Sequence, residues 1–302
     1  MSNAEPRPES VAIRAEAEVR RWLAEPLASG LHVIATPIGN LADMTLRGLA
    51  TLARADVICC EDTRHSRTLL AHFGISRPLF ALHEHNEDEA SAGIVARIKA
   101  GAAVALISDA GTPLVSDPGY RLVRAVIASG ATVFAVPGPS ALLAGLTVSG
   151  LPTDAVLFAG FLPPKEAARR DRLTKLLAVP ATLVLFEAPG RIAALLADLV
   201  ALASDRQAVV ARELTKRFEE VRRGKPGDLL TGMETARTKG EFVVLVEPPL
   251  AREVTEADIR TALNAALKTQ SLRDAVRAVA DATGAPRTRV YDIGLALKEV
   301  DA

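Results

Sequence analysis

Aromatic residues are scarce in this 302-residue chain, with one Trp, two Tyr and eight Phe making up 4% of it. Any recognition of nucleobases by stacking would have to be sparse, or fall to Phe and His. Cysteine is scarcer still: Cys59 and Cys60 are the only two, and as sequence neighbours they cannot build a disulfide framework. That fits a reducing compartment and gives the expectation of a cytoplasmic protein. Net charge is missing as well, because 36 Lys and Arg balance 36 Asp and Glu. No global field steers the molecule to nucleic acid or membrane, so any polyanion site has to be a local patch. No apolar run is long enough to predict a membrane span. Residues 1–30 mix charges of both signs without an apolar signal core, which argues against secretion. They read as a loosely docked leader with a short helix over 10–24.

Familiar catalytic signatures are absent too. There is no G-x-G-x-x-G, no G-x-x-x-x-G-K-[ST] and no G-x-S-x-G, which removes the main support for dinucleotide binding, P-loop chemistry and a serine hydrolase. Asp62, Asp109 and Asp117 invite a metal, yet no H-x-x-x-H, clustered cysteine or D-x-D spacing accompanies them, so no metal centre is expected.

What the chain has is regular alternation. Hydrophobic residues at 49%, charged residues at 24% and mean hydropathy of +0.20 describe a well-packed globular protein long enough for two domains. Short apolar runs at 31–35, 57–60, 79–82, 104–107 and 132–136 alternate with helical patterns that begin after Thr45 and over 66–73, 89–100, 120–128 and 141–148. Strands alternating with helices predict right-handed βαβ units and a mostly parallel sheet. In such sheets ligands sit beyond the carboxyl ends of the strands. Residues 36–40, 61–64, 83–86, 109–117 and 137–140 all occupy that position as polar or glycine-rich loops. The densest is S-D-A-G-T-P-L-V-S-D-P-G at 108–119, whose two glycines, two prolines and two aspartates predict backbone brought close to a small polar ligand.

Turn-rich residues 150–154 mark a boundary. Beyond it, strands at 156–161, 182–187, 207–213, 219–223 and 242–246 with helices at 166–177, 192–203 and 228–236 predict a second, smaller α/β domain. Residues 250–302 read as a helical tail, with helices over 256–267, 272–282 and 289–298. The division expected is therefore a 1–30 leader, a 31–150 α/β domain bearing the ligand rim, a 151–249 α/β domain closing the cleft, and the tail. Basic residues cluster at 165–175 and 212–225. Solvated helix faces and phosphate contacts both explain such runs.

Taken together, T-P-I-G-N-L-A-D from Thr36, E-D-T-R from Glu61, the 108–119 block, P-G-P-S from Pro137, G-F-L-P from Gly160 and A-R-E-L-T-K from Ala211 closely resemble the ribosomal RNA small subunit methyltransferase I family, within the tetrapyrrole methylase superfamily. The resemblance implies two α/β domains, S-adenosylmethionine bound between them, a homodimer, and 2′-O-methylation of a cytidine in 16S rRNA or the small ribosomal subunit, with neither DNA nor membrane as partner. Carried over by motif, the donor lies against Pro37, Ile38, Asp109, Thr112, Val115, Ser140 and Ala141. Phe186, Glu187, Ala211, Arg212, Gly240 and Glu241 close over it from the second domain. Asp62, Arg64, Glu213 and Lys216 form the catalytic or RNA-positioning set, the general base being one of Glu61, Asp62, Glu213 and Lys216. Gly190 stands where the family carries a larger residue. Two alternatives stay open: a methyltransferase acting on a tetrapyrrole, and a non-catalytic RNA-binding or ribosome-assembly protein.

Overall fold

The computed structural model describes residues 8–83, 86–234, 240–250 and 255–300. Glu84 and His85, expected at the end of the third strand, lie outside them. The chain divides into two compact units, residues 1–248 and 249–302.

The first unit begins with helix α1 (Pro8–Ala24), then β1 (Gly30–Ile34), α2 (Leu46–Arg54), β2 (Val57–Cys60), α3 (Thr63–His72), β3 (Leu79–Ala81), α4 (Glu87–Lys99), β4 (Ala103–Leu106), α5 (Tyr120–Ala128), β5 (Val133–Val136) and α6 (Ala141–Ser149). The five strands form one sheet in the order β3-β2-β4-β1-β5, every pairing parallel. β2 and β4 are buried at every position, as expected of parallel strands covered on both faces. The strand period of two explains how: Cys59 packs with Ile94, Ile98 and Leu122 from α4 and α5, whereas its neighbour Cys60 packs with Leu52 and Leu70 from α2 and α3. The adjacent cysteines are thus core residues of opposite faces, and burial pushes the Cys59 thiol up to about 12.

The same unit continues through β6 (Val156–Phe161), α7 (Glu166–Leu177), β7 (Thr182–Glu187), α8 (Ile192–Ala203), β8 (Ala208–Arg212), β9 (Glu220–Gly224), α9 (Pro226–Glu234) and β10 (Phe242–Val246). Their sheet runs β6-β7-β10-β8-β9, with β6 parallel to β7 and the remaining pairs antiparallel. α7, α8 and α9 cover one face. The other is covered by α6, the last helix of the preceding half. Its small residues permit this contact: a Cβ at Gly145 would stand 2.9 Å from Val243 Cγ1.

Two expectations are revised. Within the leader, the described residues dock more closely than expected: α1 starts at Pro8, spans seventeen residues and packs on α2, and the Arg54 guanidinium donates to the Glu25 carbonyl. α3 starts at Thr63 instead of residue 66, because the Asp62 carboxylate accepts the Arg64 N–H at 2.8 Å and caps the helix earlier.

The second unit consists of α10 (Glu256–Ala266), α11 (Leu272–Thr283) and α12 (Arg287–Val300) around Ile259, Leu263, Val276, Val279 and Val290. Thr255 and Asp258 form a reciprocal capping box at the start of α10, and Gly284 ends α11 in the left-handed conformation.

Candidate active site

β1 and β4 are neighbours, but the chain leaves β1 towards β2 on one side and leaves β4 towards β5 on the other. This is the switch point at which open parallel sheets bind ligands. The loops after these strands are stitched together there. Thr36 and Gly111 exchange backbone hydrogen bonds of 2.8 and 3.0 Å. Thr36 Oγ1 donates to the Ser108 carbonyl at 3.2 Å and Thr112 Oγ1 to the Pro139 carbonyl at 3.0 Å. The 108–119 loop carries Leu114 at φ 73° and Ser116 at φ 69°, and left-handed backbone in such residues persists only where the surroundings enforce it. Part of that enforcement is Glu87, buried in the first turn of α4, whose Oε1 accepts the N–H groups of Gly119, Arg121 and Leu122 at 2.7–3.1 Å. The carboxylate thereby anchors the loop's exit and caps the positive end of α5.

Between these loops and the second sheet lies a cavity of about 340 Å³. Of the residues expected against a methyl donor, Ile38, Asp109, Thr112, Val115, Ser140, Ala141, Phe186, Glu187 and Glu241 line it. Four do not. Pro37 is buried and does not line the cavity. Ala211 packs in the core between α6 and the second sheet. Arg212 points to Glu220 at 3.6 Å. Gly240 supports Glu213, since a Cβ there would lie 2.6 Å from Glu213 Oε1. The sequence reading passed over Phe161 and Asp117 as wall residues, though both sit in motifs it had singled out. Phe161 stacks edge-on against Phe186 at 5.9 Å and is 55% exposed, an aromatic surface at the mouth.

Acceptors dominate the polar wall. The Glu187 side chain is fully buried. Its Oε1 accepts from the Ala188 N–H at 2.9 Å and faces Arg191 Nε at 3.1 Å, whereas its Oε2 has no hydrogen-bond partner among the described residues. Arg191 also braces the end of β6 through the Leu162 carbonyl at 2.6 Å. A Cβ at Gly190 would meet nothing within 4 Å, so the missing side chain opens space without disturbing this pairing.

Asp62 and Arg64 form an ion pair of 2.9 Å on the rim. Hydrogen bonds from Arg64 hold the Asp62 carboxyl at about 2. The Asp62 backbone N–H donates to Asp109 Oδ1 at 3.2 Å and so orients that cavity residue. From the opposite side, Lys216 Nζ bonds Glu213 Oε1 and Glu241 Oε2, each at 3.0 Å. Burial pulls the ammonium down, but the two carboxylates outweigh it and raise Lys216 above its ordinary value. Its methylene stem lies over Gly39, where a Cβ would come within 2.3 Å. This lysine thus clamps the loop after β8 onto the loop after β1.

Acid crowding continues beside the cavity. Burial, then Asp109 and Asp62, push Glu61 up. Burial pushes Asp117 to about 6, reinforced by Glu61 and Asp109 and opposed by a hydrogen bond from Ser108. The two basic stretches, by contrast, are largely paired locally. Arg169 is buried against Asp198 at 2.6 Å, Lys175 pairs with Asp171 at 2.8 Å, and Arg222 pairs with Glu220 at 2.7 Å. Arg217 lies over the exposed Phe218 ring at 5.6 Å.

Residues 30–230 match the family model of tetrapyrrole (corrin/porphyrin) methylases. A protein of Mesorhizobium japonicum named ribosomal RNA small subunit methyltransferase I is 51% identical over 91% of this chain and 95% of its own length. One of the same name from Xylella fastidiosa is 50% identical over 86% and 97%. The chain belongs to this methyltransferase family. Membership extends to the second unit, because residues 253–298 match the RsmI C-terminal HTH domain. The family fold is shared with solved structures. The uroporphyrin-III C-methyltransferase of Thermus thermophilus, solved with S-adenosylhomocysteine, aligns with a TM-score of 0.50 at 22% identity over 72% of this chain and 96% of that one.

Proposed function

We propose that this protein transfers the methyl group of S-adenosylmethionine to the 2′-oxygen of a cytidine ribose in 16S rRNA, acting as a homodimer in the cytoplasm. The observation that carries the reading is the acceptor-lined cavity at the switch point, with Asp109, Glu187 and Glu241 in its wall and with no hydrogen-bond partner for the buried Glu187 Oε2 among the described residues. A buried acceptor without a donor is costly, and the donor's ribose hydroxyls or amino group supply what it lacks. Asp109 offers a second acceptor, Gly111 leaves room where a side chain would stand, and Phe161 with Phe186 gives a flat ring an apolar wall.

The bound donor supplies an electrophilic sulfonium methyl. The chain's own residues orient, enclose and handle the proton. Orientation contributes most when the nucleophile is held about 3–3.5 Å from the methyl carbon. The Thr36–Gly111 bridge and the Lys216 clamp fix the walls that do this. In this reading residues 31–150 hold the donor, 151–249 close over it, and the rim residues Asp62, Arg64, Glu213 and Lys216 position RNA. The HTH unit, with Arg273, Arg277, Arg287 and Arg289, adds RNA contacts.

Calorimetry with S-adenosylmethionine tests the donor; a folded protein giving no heat would remove the methyltransferase reading. Mass mapping of 16S rRNA from a strain lacking the gene tests the acceptor. One ribose methyl is expected to disappear there, and retention of all of them refutes the assignment. Lys216→Ala is expected to leave donor affinity within about threefold while lowering turnover on RNA by about tenfold or more. Steady-state kinetics beside calorimetry check this, and parallel loss of both would make Lys216 a donor-binding group.

A further inference from the structure

The proposed reaction needs a group that takes the proton of the attacking hydroxyl, and the candidates named from sequence fare poorly. Asp62 is held at about 2 by Arg64, too weak a base to favour proton uptake near neutrality. Lys216 is held charged between two carboxylates. The hydrogen bonds that Glu213 accepts outweigh its burial and lower it. Glu61 lines only a neighbouring cavity of about 390 Å³ and not the donor cavity.

One acidic residue borders both spaces. Asp117, with Ser116, lines the donor cavity and also the neighbouring cavity, whose walls include Glu61, Glu87 and Tyr120. The shared wall is where an acceptor nucleotide entering from the neighbouring cavity would meet a donor bound against Glu187. We infer that Asp117 is the general base of the methyl transfer, placed at the junction between the donor cavity and the cavity that receives the ribose. The inference rests on the functional reading above.

The positioning is built into the loop. Ser116 precedes Asp117 in left-handed backbone, and Gly160 approaches it so closely that a Cβ there would stand 2.7 Å from Ser116 Oγ. Two residues further, Gly119 at φ 124° is fastened to the buried Glu87. The backbone that carries the carboxylate is thus held on both sides. As the new O–C bond forms, the S–C electron pair returns to sulfur, which becomes a neutral thioether. The hydroxyl proton passes to the Asp117 carboxylate, which releases it to solvent before the next turnover.

The charged and titratable groups facing Asp117 are Glu61, Asp109, Glu87, Tyr120 and Arg121. Burial and the carboxylates among them put its titration at about 6, close to the optimum for a base working near neutrality. Below that pH the group is protonated and cannot accept, so kcat/KM on 16S rRNA should fall about tenfold per pH unit under pH 6.

The experiment compares wild type, Asp117→Asn and Glu61→Gln. Asp117→Asn is expected to lower kcat on 16S rRNA by about 10²–10³-fold, remove the acid limb, and leave S-adenosylmethionine affinity within about threefold by calorimetry. A carbon-13 carboxyl resonance titrating at about 6 in the free protein should vanish in Asp117→Asn. In Glu61→Gln, where a neighbouring negative charge is gone, that resonance and the acid limb should both move to lower pH. Turnover of Asp117→Asn within about tenfold of wild type, an unaltered acid limb, or loss of donor affinity matching the loss of turnover would each overturn the assignment. A wild type inactive on 16S rRNA would instead strike the functional reading, and the resonance would still report whether Asp117 titrates as described.

Discussion

Replacing Glu187 with alanine is expected to weaken S-adenosylmethionine binding by about 10–100-fold. The magnitude follows from what the residue offers. A hydrogen bond to a charged group contributes about 1.5–3 kcal/mol, and each 1.4 kcal/mol is about tenfold in affinity. Glu187 Oε2 is buried at the carboxyl end of β7 with no hydrogen-bond partner among the described residues, so a ligand donor reaching it displaces no protein bond there. The alanine variant also strips Arg191 of its carboxylate. Arg191 keeps the Leu162 and Pro163 carbonyls and is 29% exposed, so the fold should survive. Glu187→Gln separates the two effects, because it keeps an acceptor of the same shape and should lose less affinity than alanine. Calorimetry at fixed salt, with thermal unfolding alongside, makes the comparison. Equal affinity in wild type and Glu187→Ala would mean that the buried oxygen serves the Arg191 pair alone.

The alternation of short apolar runs with helical patterns was sufficient to read the first sheet as parallel, because fully buried strands such as β2 and β4 cannot hide their composition. The rim loops were legible for a similar reason: Gly, Pro and Asp in close succession have few uses other than a tight turn near a ligand. Contacts between distant segments were not legible. Nothing in A-R-E-L-T-K says that Lys216 will reach Glu241 and lie over Gly39. The small residues of α6 announced a close approach, but their partner, β10, lies about a hundred positions further on. Charge runs did not show which residue is buried. Residues 165–175 fit both a solvated helix face and a phosphate surface from sequence, whereas Arg169 is spent on a buried partner contributed by the next helix. Asp62 read as a candidate base; nothing in the motif said that its carboxylate would cap α3 and pair with Arg64 while its backbone N–H orients Asp109. Asp117 stood in the most conspicuous motif of the chain. Its place in the linings of two cavities, together with the burial that raises its titration, sets it apart from its neighbours in the loop.

Asp198→Ala should be the most damaging substitution outside the cavity, costing about 3–5 kcal/mol. Asp198 lies on α8 and Arg169 on α7, with side chains only 7% and 8% exposed, and their atoms meet at 2.6 Å. Arg170 adds a second contact to Asp198 at 3.4 Å but is 44% exposed and can turn to water. Arg169 has no such exit. Beyond Asp198 it has the Pro164 carbonyl at 3.4 Å, so removing the aspartate leaves a buried guanidinium nearly uncompensated. The cost is that of stranding a charge, which need not equal any net benefit of the pair. The double variant Arg169→Met/Asp198→Leu, which removes both charges and fills the space, is therefore expected within about 1 kcal/mol of wild type. For a unit of this size, about 2–4 °C of midpoint per kcal/mol puts the Asp198→Ala loss at roughly 6–20 °C in a thermal melt. The consequence reaches the site, because α7 and α8 cover the face of the sheet in which β7 carries Phe186 and Glu187. Donor affinity in Asp198→Ala should accordingly fall as temperature approaches its lowered midpoint and recover in the double variant. A single variant that melts within about 3 °C of wild type would show that Arg169 finds water or another acceptor, and that the pair does not hold the two helices together.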